Sequence, residues 1–159
     1  MVIIQKKMQK KFLVTLLLLS LFASCKYEEG PVVSSIPVKD RIRGEWKLNA
    51  IQKNGKSTTT EAPSIAESRN NAFSFYKNQR LQIDYIENST LYQADGFYEF
   101  SSDKKNLILK FSDRYLSYER TYKILKFKSK ELKVKFTDEQ NIEWILEFTL
   151  TQSFRPYGL

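Results

Sequence analysis

From Glu45 onward the chain alternates polar and apolar residues, the period of a strand with one wet face. Trp46, Leu48 and Ala50 alternate with Glu45, Lys47 and Asn49, and Asn54-Gly55 ends the run. The same alternation returns at Phe73 and Phe75, then at Leu81, Ile83 and Tyr85, then from Thr90 to Phe100. Further runs hold Leu107, Leu109 and Phe111, and then Tyr118, Arg120, Tyr122 and Ile124. Leu132, Val134 and Phe136 make the seventh, and Ile142, Trp144, Leu146, Phe148 and Leu150 the eighth. Short polar clusters such as Lys77-Asn78-Gln79, Glu87-Asn88-Ser89 and Asp138–Asn141 separate them. Gly96 predicts a bulge that re-registers Tyr92 and Ala94 against Tyr98 and Phe100. No helical periodicity is sustained, so the pattern predicts an antiparallel meander. The first and last strands are both apolar and would be exposed edges unless they paired. Their pairing gives an all-β fold, a single eight-stranded up-and-down barrel, filled by side chains or holding one small ligand. One stretch breaks the rhythm. Lys56 to Asn71 is a long polar loop in which Pro63 to Ser68 suits a helical turn, and a loop of that length suits a lid.

Upstream the pattern changes. Lys6, Lys7, Lys10 and Lys11 form a basic head, and Phe12 to Phe22 an apolar run broken only by Thr15 and Ser20. That run fits a secretory signal and is too short to span a bilayer, which takes about 20 residues. Leu21-Phe22-Ala23-Ser24-Cys25 resembles the lipobox of bacterial lipoproteins, which implies that Cys25 is acylated and becomes the mature N-terminus. Glu28 and Glu29 behind it resemble the surface-export tag of lipoproteins in one large Gram-negative group. The expected location is the outer membrane, facing the periplasm or the cell exterior. Gly30, Pro31, two serines and Pro37 read as a spacer. The expected organisation is a signal peptide over 1–24, a lipidated tether over 25–39 and one barrel domain over 40–159. Asp40 suits the cap of a short turn over Arg41–Arg43.

Removing the leader lowers the basicity. The whole chain carries +8, but the leader holds four of the 26 Lys and Arg and no acid, leaving 22 against 18, or +4. Such a balance does not call for nucleic acid, and an exported location argues against it. The chain has no histidine, which removes Ser-His and Cys-His catalysis, histidine metal sites and a histidine pH switch together. With Cys25 acylated no thiol nucleophile and no disulfide remain. Carboxylates such as Glu99, Glu143 and Glu147 face outward by strand parity, so no pair faces across a glycosidase cleft. No catalytic residue, metal site or cofactor is expected, and the protein is read as a non-enzyme.

Gly44-x-Trp46, at the head of the first of eight meandering strands, resembles the lipocalin and lipocalin-like families over about Val38 to Leu159. The resemblance implies that Trp46 plugs the closed end of the barrel and packs against an arginine just after the last strand, here Arg155. The family's Thr-Asp-Tyr-type motif is missing, and the chain stops too soon for the helix that follows the barrel in larger members. Strand parity puts Trp46, Phe100, Leu107, Phe127 and Phe148 at the closed end. It puts Phe73, Tyr85, Tyr92, Phe111, Tyr118, Arg120, Phe136 and Trp144 at the open end. Tyrosine joins an apolar body to a polar tip and suits a partly wet pocket. Tyr85, Tyr92, Tyr118, Arg120 and Trp144 are therefore the candidate ligand-binding residues. Arg120 falls on the inward face and needs a partner. It meets an anionic ligand, pairs with an internal carboxylate, or is turned outward by a bulge near Ile124-Leu125. Lysines 123, 126, 128, 130, 133 and 135 form a basic hairpin that greets anionic surfaces or is a solvated outer face. Two functions stay open: a membrane-anchored barrel that binds a small apolar or amphipathic ligand at its open end, and a filled barrel that serves another envelope protein as an interaction or accessory module.

Overall fold

The structure, a computed structural model, describes residues 36–64, 66–112 and 117–154. The expected leader, the expected lipidation site Cys25 and Arg155 lie outside these residues. A single helical turn, α1 (Val38–Arg41), precedes nine strands. These are β1 (Gly44–Lys53), β2 (Lys56–Thr58), β3 (Ala72–Phe75), β4 (Arg80–Glu87), β5 (Thr90–Phe100), β6 (Asn106–Ser112), β7 (Ser117–Phe127), β8 (Glu131–Thr137) and β9 (Glu143–Ser153). All pairings are antiparallel between sequence neighbours, with two exceptions: β3 skips back to β1, and β9 returns to β1 and closes the sheet. The result is the expected eight-stranded antiparallel barrel plus one short extra strand. That strand, β2, hairpins onto the upper half of β1 over Asn54-Gly55.

The register defines two ends. Gly44 pairs with both Phe75 and Ser153, so α1 and the turns 76–79, 101–105 and 128–130 share the closed end. The open end carries the turns 54–55, 88–89 and 138–142. Inward residues are sealed from water along most of the barrel, Trp46, Leu48, Leu81, Ile83, Ala94 and Leu146 completely. A register shift between Leu48 and Ala50 turns Ile51 inward where simple alternation puts Ala50.

At the closed end Trp46 donates to the Ile42 carbonyl (2.7 Å) and meets Phe127 edge-on at 5.9 Å. An arginine of α1 packs on the same phenylalanine. Arg41 lies over the Phe127 ring at 4.9 Å and donates to the carbonyls of Phe127 (2.7 Å) and Ile36 (2.9 Å). Gly44 runs at φ +152°, and a Cβ there would overlap the Gln152 carbonyl oxygen, so the first strand can begin this close to the last only with glycine.

Three expectations need correction. The helical turn is Val38–Arg41 with Pro37 at its N-cap, so Asp40 lies within it and is not its cap. The β4–β5 and β5–β6 ladders pass Gly96 without a bulge, and Tyr92, Ala94, Tyr98 and Phe100 keep one parity. Gly96 is needed instead for packing, because a Cβ would sit 2.5 Å from the Lys110 carbonyl and 2.7 Å from the Phe111 ring. Phe73 pairs with Trp46 and so lies in the closed half, since β3 is four residues long and reaches only the first half of β1.

Candidate functional site

The site begins with the polar loop after β2. Where β3 stops short, the loop takes its place along β1: Leu48 N donates to Asn71 O (3.0 Å), Asn70 N to Leu48 O (2.7 Å), and Arg69 Nε to Asn49 O (2.7 Å). Asn71 Nδ2 holds the loop's own turn through Ala66 O at 3.0 Å. This stitching turns Ala66 and Glu67 down into the mouth of the barrel, where both are completely buried.

A buried carboxylate is stable only with donors around it. Glu67 has three: Arg120 Nη1 and the Ser64 hydroxyl (2.8 Å) on one oxygen, and the Tyr122 hydroxyl on the other. Of the three fates open to Arg120, the structure selects the internal carboxylate. A register shift does occur between Ile124 and Lys126, yet Arg120 still faces inward. Its guanidinium lies over Phe136 at 4.3 Å and Tyr118 at 5.1 Å. Burial works to lower its pKa, and the charge and hydrogen bond of Glu67 outweigh that and raise it. Burial, and then the Glu67 charge, push the Tyr122 and Tyr118 phenols upward, so both stay neutral. The Tyr118 hydroxyl is buried without a hydrogen bond of good geometry among the described residues.

Above this stopper an open cleft of about 910 Å³ is lined by Tyr118, Arg120, Phe136 and Trp144, with Lys53 and Asp138 at its rim. Trp144 donates its indole N–H to Asp138 (2.8 Å), which pulls the Asp138 pKa below its ordinary 3.8. Lys53 lies 5.6 Å from the centre of the Trp144 ring and pairs with Glu61. The structure thus gathers Tyr118, Arg120 and Trp144 around one cleft. Tyr85 and Tyr92 stack on each other at 5.6 Å outside its lining. In the lysine hairpin, Lys126, Lys133 and Lys135 pair with Glu131, Glu147 and Glu143 across the outer face.

Glu67 escaped the sequence reading because it sits in a polar loop without periodicity. A signal was present: an inward arginine calls for a carboxylate, and the long loop offers only Glu61 and Glu67.

No protein-family model and no curated protein matches the sequence. Among solved structures, the chain is similar to an odorant-binding protein from bovine nasal mucosa, with a TM-score of 0.45 and 11% identity over 74% of this chain and 76% of that one. It is also similar to the odorant-binding protein OBP1, with a TM-score of 0.46 and 14% identity over 77% and 80%. The fold assignment rests on the closed ladder between β1 and β9.

Proposed function

We propose that this chain is a non-catalytic binding protein of the bacterial cell envelope, tethered through lipidated Cys25, that takes a small amphipathic molecule at the open end of its barrel. The molecule sits in the mouth cleft, above a barrel closed by the chain's own residues. The observation that carries this is the cleft's make-up. Its lining is largely polar, from residues such as Thr60, Glu61, Thr121, Asp138 and Gln140, and includes the mostly buried rings of Phe136 and Trp144. The Arg120 side chain keeps 22% of its surface exposed and pairs with fully buried Glu67. Convergent polar groups beside aromatic rings suit a molecule with both a polar and an apolar part.

Tryptophan emission tests it. Trp46 is sealed at the far end, so a saturable change on adding dodecanoate, dodecylamine or dodecanol reports on Trp144. Flat titrations with all three, and a native mass without an adduct, would overturn the proposal.

A second reading, a filled barrel acting as an accessory module for another envelope protein, is favoured by one observation. Ile86 and Leu91 pair across the β4–β5 hairpin tip and are 62% and 69% exposed, an apolar spot of the kind that marks contact surfaces.

A further inference from the structure

The two ends of the barrel differ in charge. The closed-end turns present exposed Lys77, Arg80, Lys104, Lys105, Lys128 and Lys130, and α1 adds Lys39. The acids at this end are already engaged. Asp40 pairs with Arg43 (3.5 Å), Glu131 with Lys126, and Asp103 accepts from the Ser101 hydroxyl (2.6 Å) and the Lys105 N–H (3.0 Å). Lys77, Lys104, Lys105, Lys128 and Lys130 meet no carboxylate at ion-pair distance among the described residues. The open end is close to balanced, with Glu61, Asp84, Glu87, Glu119, Asp138, Glu139 and Glu143 against Lys53, Lys56, Arg69, Lys110, Arg120 and Lys135 among the described residues.

A groove of about 540 Å³ opens at the closed-end rim between Arg43, Lys77 and Arg80, of which Arg43 pairs with Asp40 and Arg80 with Asp95 (3.7 Å), both loosely. Its floor is a stacked aromatic pair, Tyr76 on Phe154 at 5.3 Å and 15°. Arg43 donates to the Phe154 carbonyl (3.2 Å), and the Tyr98 hydroxyl to the Tyr76 carbonyl (2.8 Å). Aromatic rings among cations are the pairing that suits the headgroup level of a bilayer. The described chain also starts at this end, at Ile36. Cys25 lies eleven residues upstream, a reach of at most about 40 Å.

We propose that the closed end docks flat on an anionic lipid surface, with headgroup phosphates between Arg43, Lys77 and Arg80 and with the open cleft turned away from the membrane. The surface supplies orientation, where a tether alone would leave the barrel free to tumble. The proposal rests on the tether reading only for the barrel's being held near a bilayer.

Lysine acetylation of the full chain tests it, on vesicles of phosphatidylglycerol mixed with phosphatidylcholine and on phosphatidylcholine alone. Each basic residue brought to an anionic surface strengthens association about fivefold. Expected on the anionic vesicles is a several-fold protection of Lys77, Lys104, Lys105, Lys128 and Lys130, with Lys56 at the open end unchanged. Added salt should erase it, since these charges are exposed. Equal labelling of the two ends on anionic vesicles would overturn the proposal. Lys77→Glu combined with Lys128→Glu, two exposed turn positions, should return the remaining closed-end lysines to their unprotected rates. Failure of the tether reading looks different: the protein would not partition into pure phosphatidylcholine, while closed-end protection on anionic lipid could still be read.

Discussion

Arg120 was visible in the sequence as a misfit, a charge in a row of inward residues, and the structure resolves it with a second buried charge. Removing one member leaves the other stranded. Arg120→Ala should destabilise the fold by about 3 kcal/mol in urea titration. Arg120→Met with Glu67→Gln should recover part of that loss, because no buried charge is left unpaired and the amide oxygen still accepts from Tyr122. Equal losses in the single and double variants would show that the ion pair is not the coupled unit. Tyr118→Phe removes a buried hydroxyl that lacks a good partner and should leave stability unchanged or raise it by up to about 1 kcal/mol. Asp138 offers a pH test. Its folded pKa lies below the ordinary 3.8, so its hydrogen bond to Trp144 is fully present above that value and is lost as pH falls through the folded pKa. Trp144 emission should therefore change only below pH 3.8, and Asp138→Asn should flatten the transition. A midpoint above 3.8 would contradict the assignment.

All eight barrel strands could be read from the pattern, with ends off by up to three residues, because one face is buried and a half-wet strand carries a period of two. The gaps have physical reasons. β2 shows no alternation, since Lys56–Thr58 buries little and is fixed by the turn before it. The loop's descent into the barrel depends largely on backbone hydrogen bonds at Leu48, Asn70 and Asn71, which the backbone of almost any residue could make, so nothing in the pattern announces it. Gly96 misled for a related reason: a glycine inside a strand marks either a bulge or a close approach, and sequence does not say which. Gly96→Ala should destabilise by about 1–3 kcal/mol, since the Lys110 carbonyl is backbone and cannot step aside. Thermal melts would show it, and an unchanged midpoint would mean that β5 and β6 can part without loss.

For the whole molecule, closure was legible from the two apolar edges, while the fate of the interior was not. Aromatic side chains line cavities and fill cores alike, and only the placement of Ala66 and Glu67 decides where the barrel is shut. Closure also joins the far ends of the domain: Asn49 bonds Thr149 across 100 positions (3.0 Å). Pairings of that span form late and slowly. Until β9 has arrived, β1 and β8 both keep a raw edge, so a chain still emerging from a ribosome cannot complete its fold. Deleting Glu143–Ser153 should yield aggregate in place of a smaller barrel. The position of the closing strand thus sets the order of events, since the barrel can shut only after its last strand has been made.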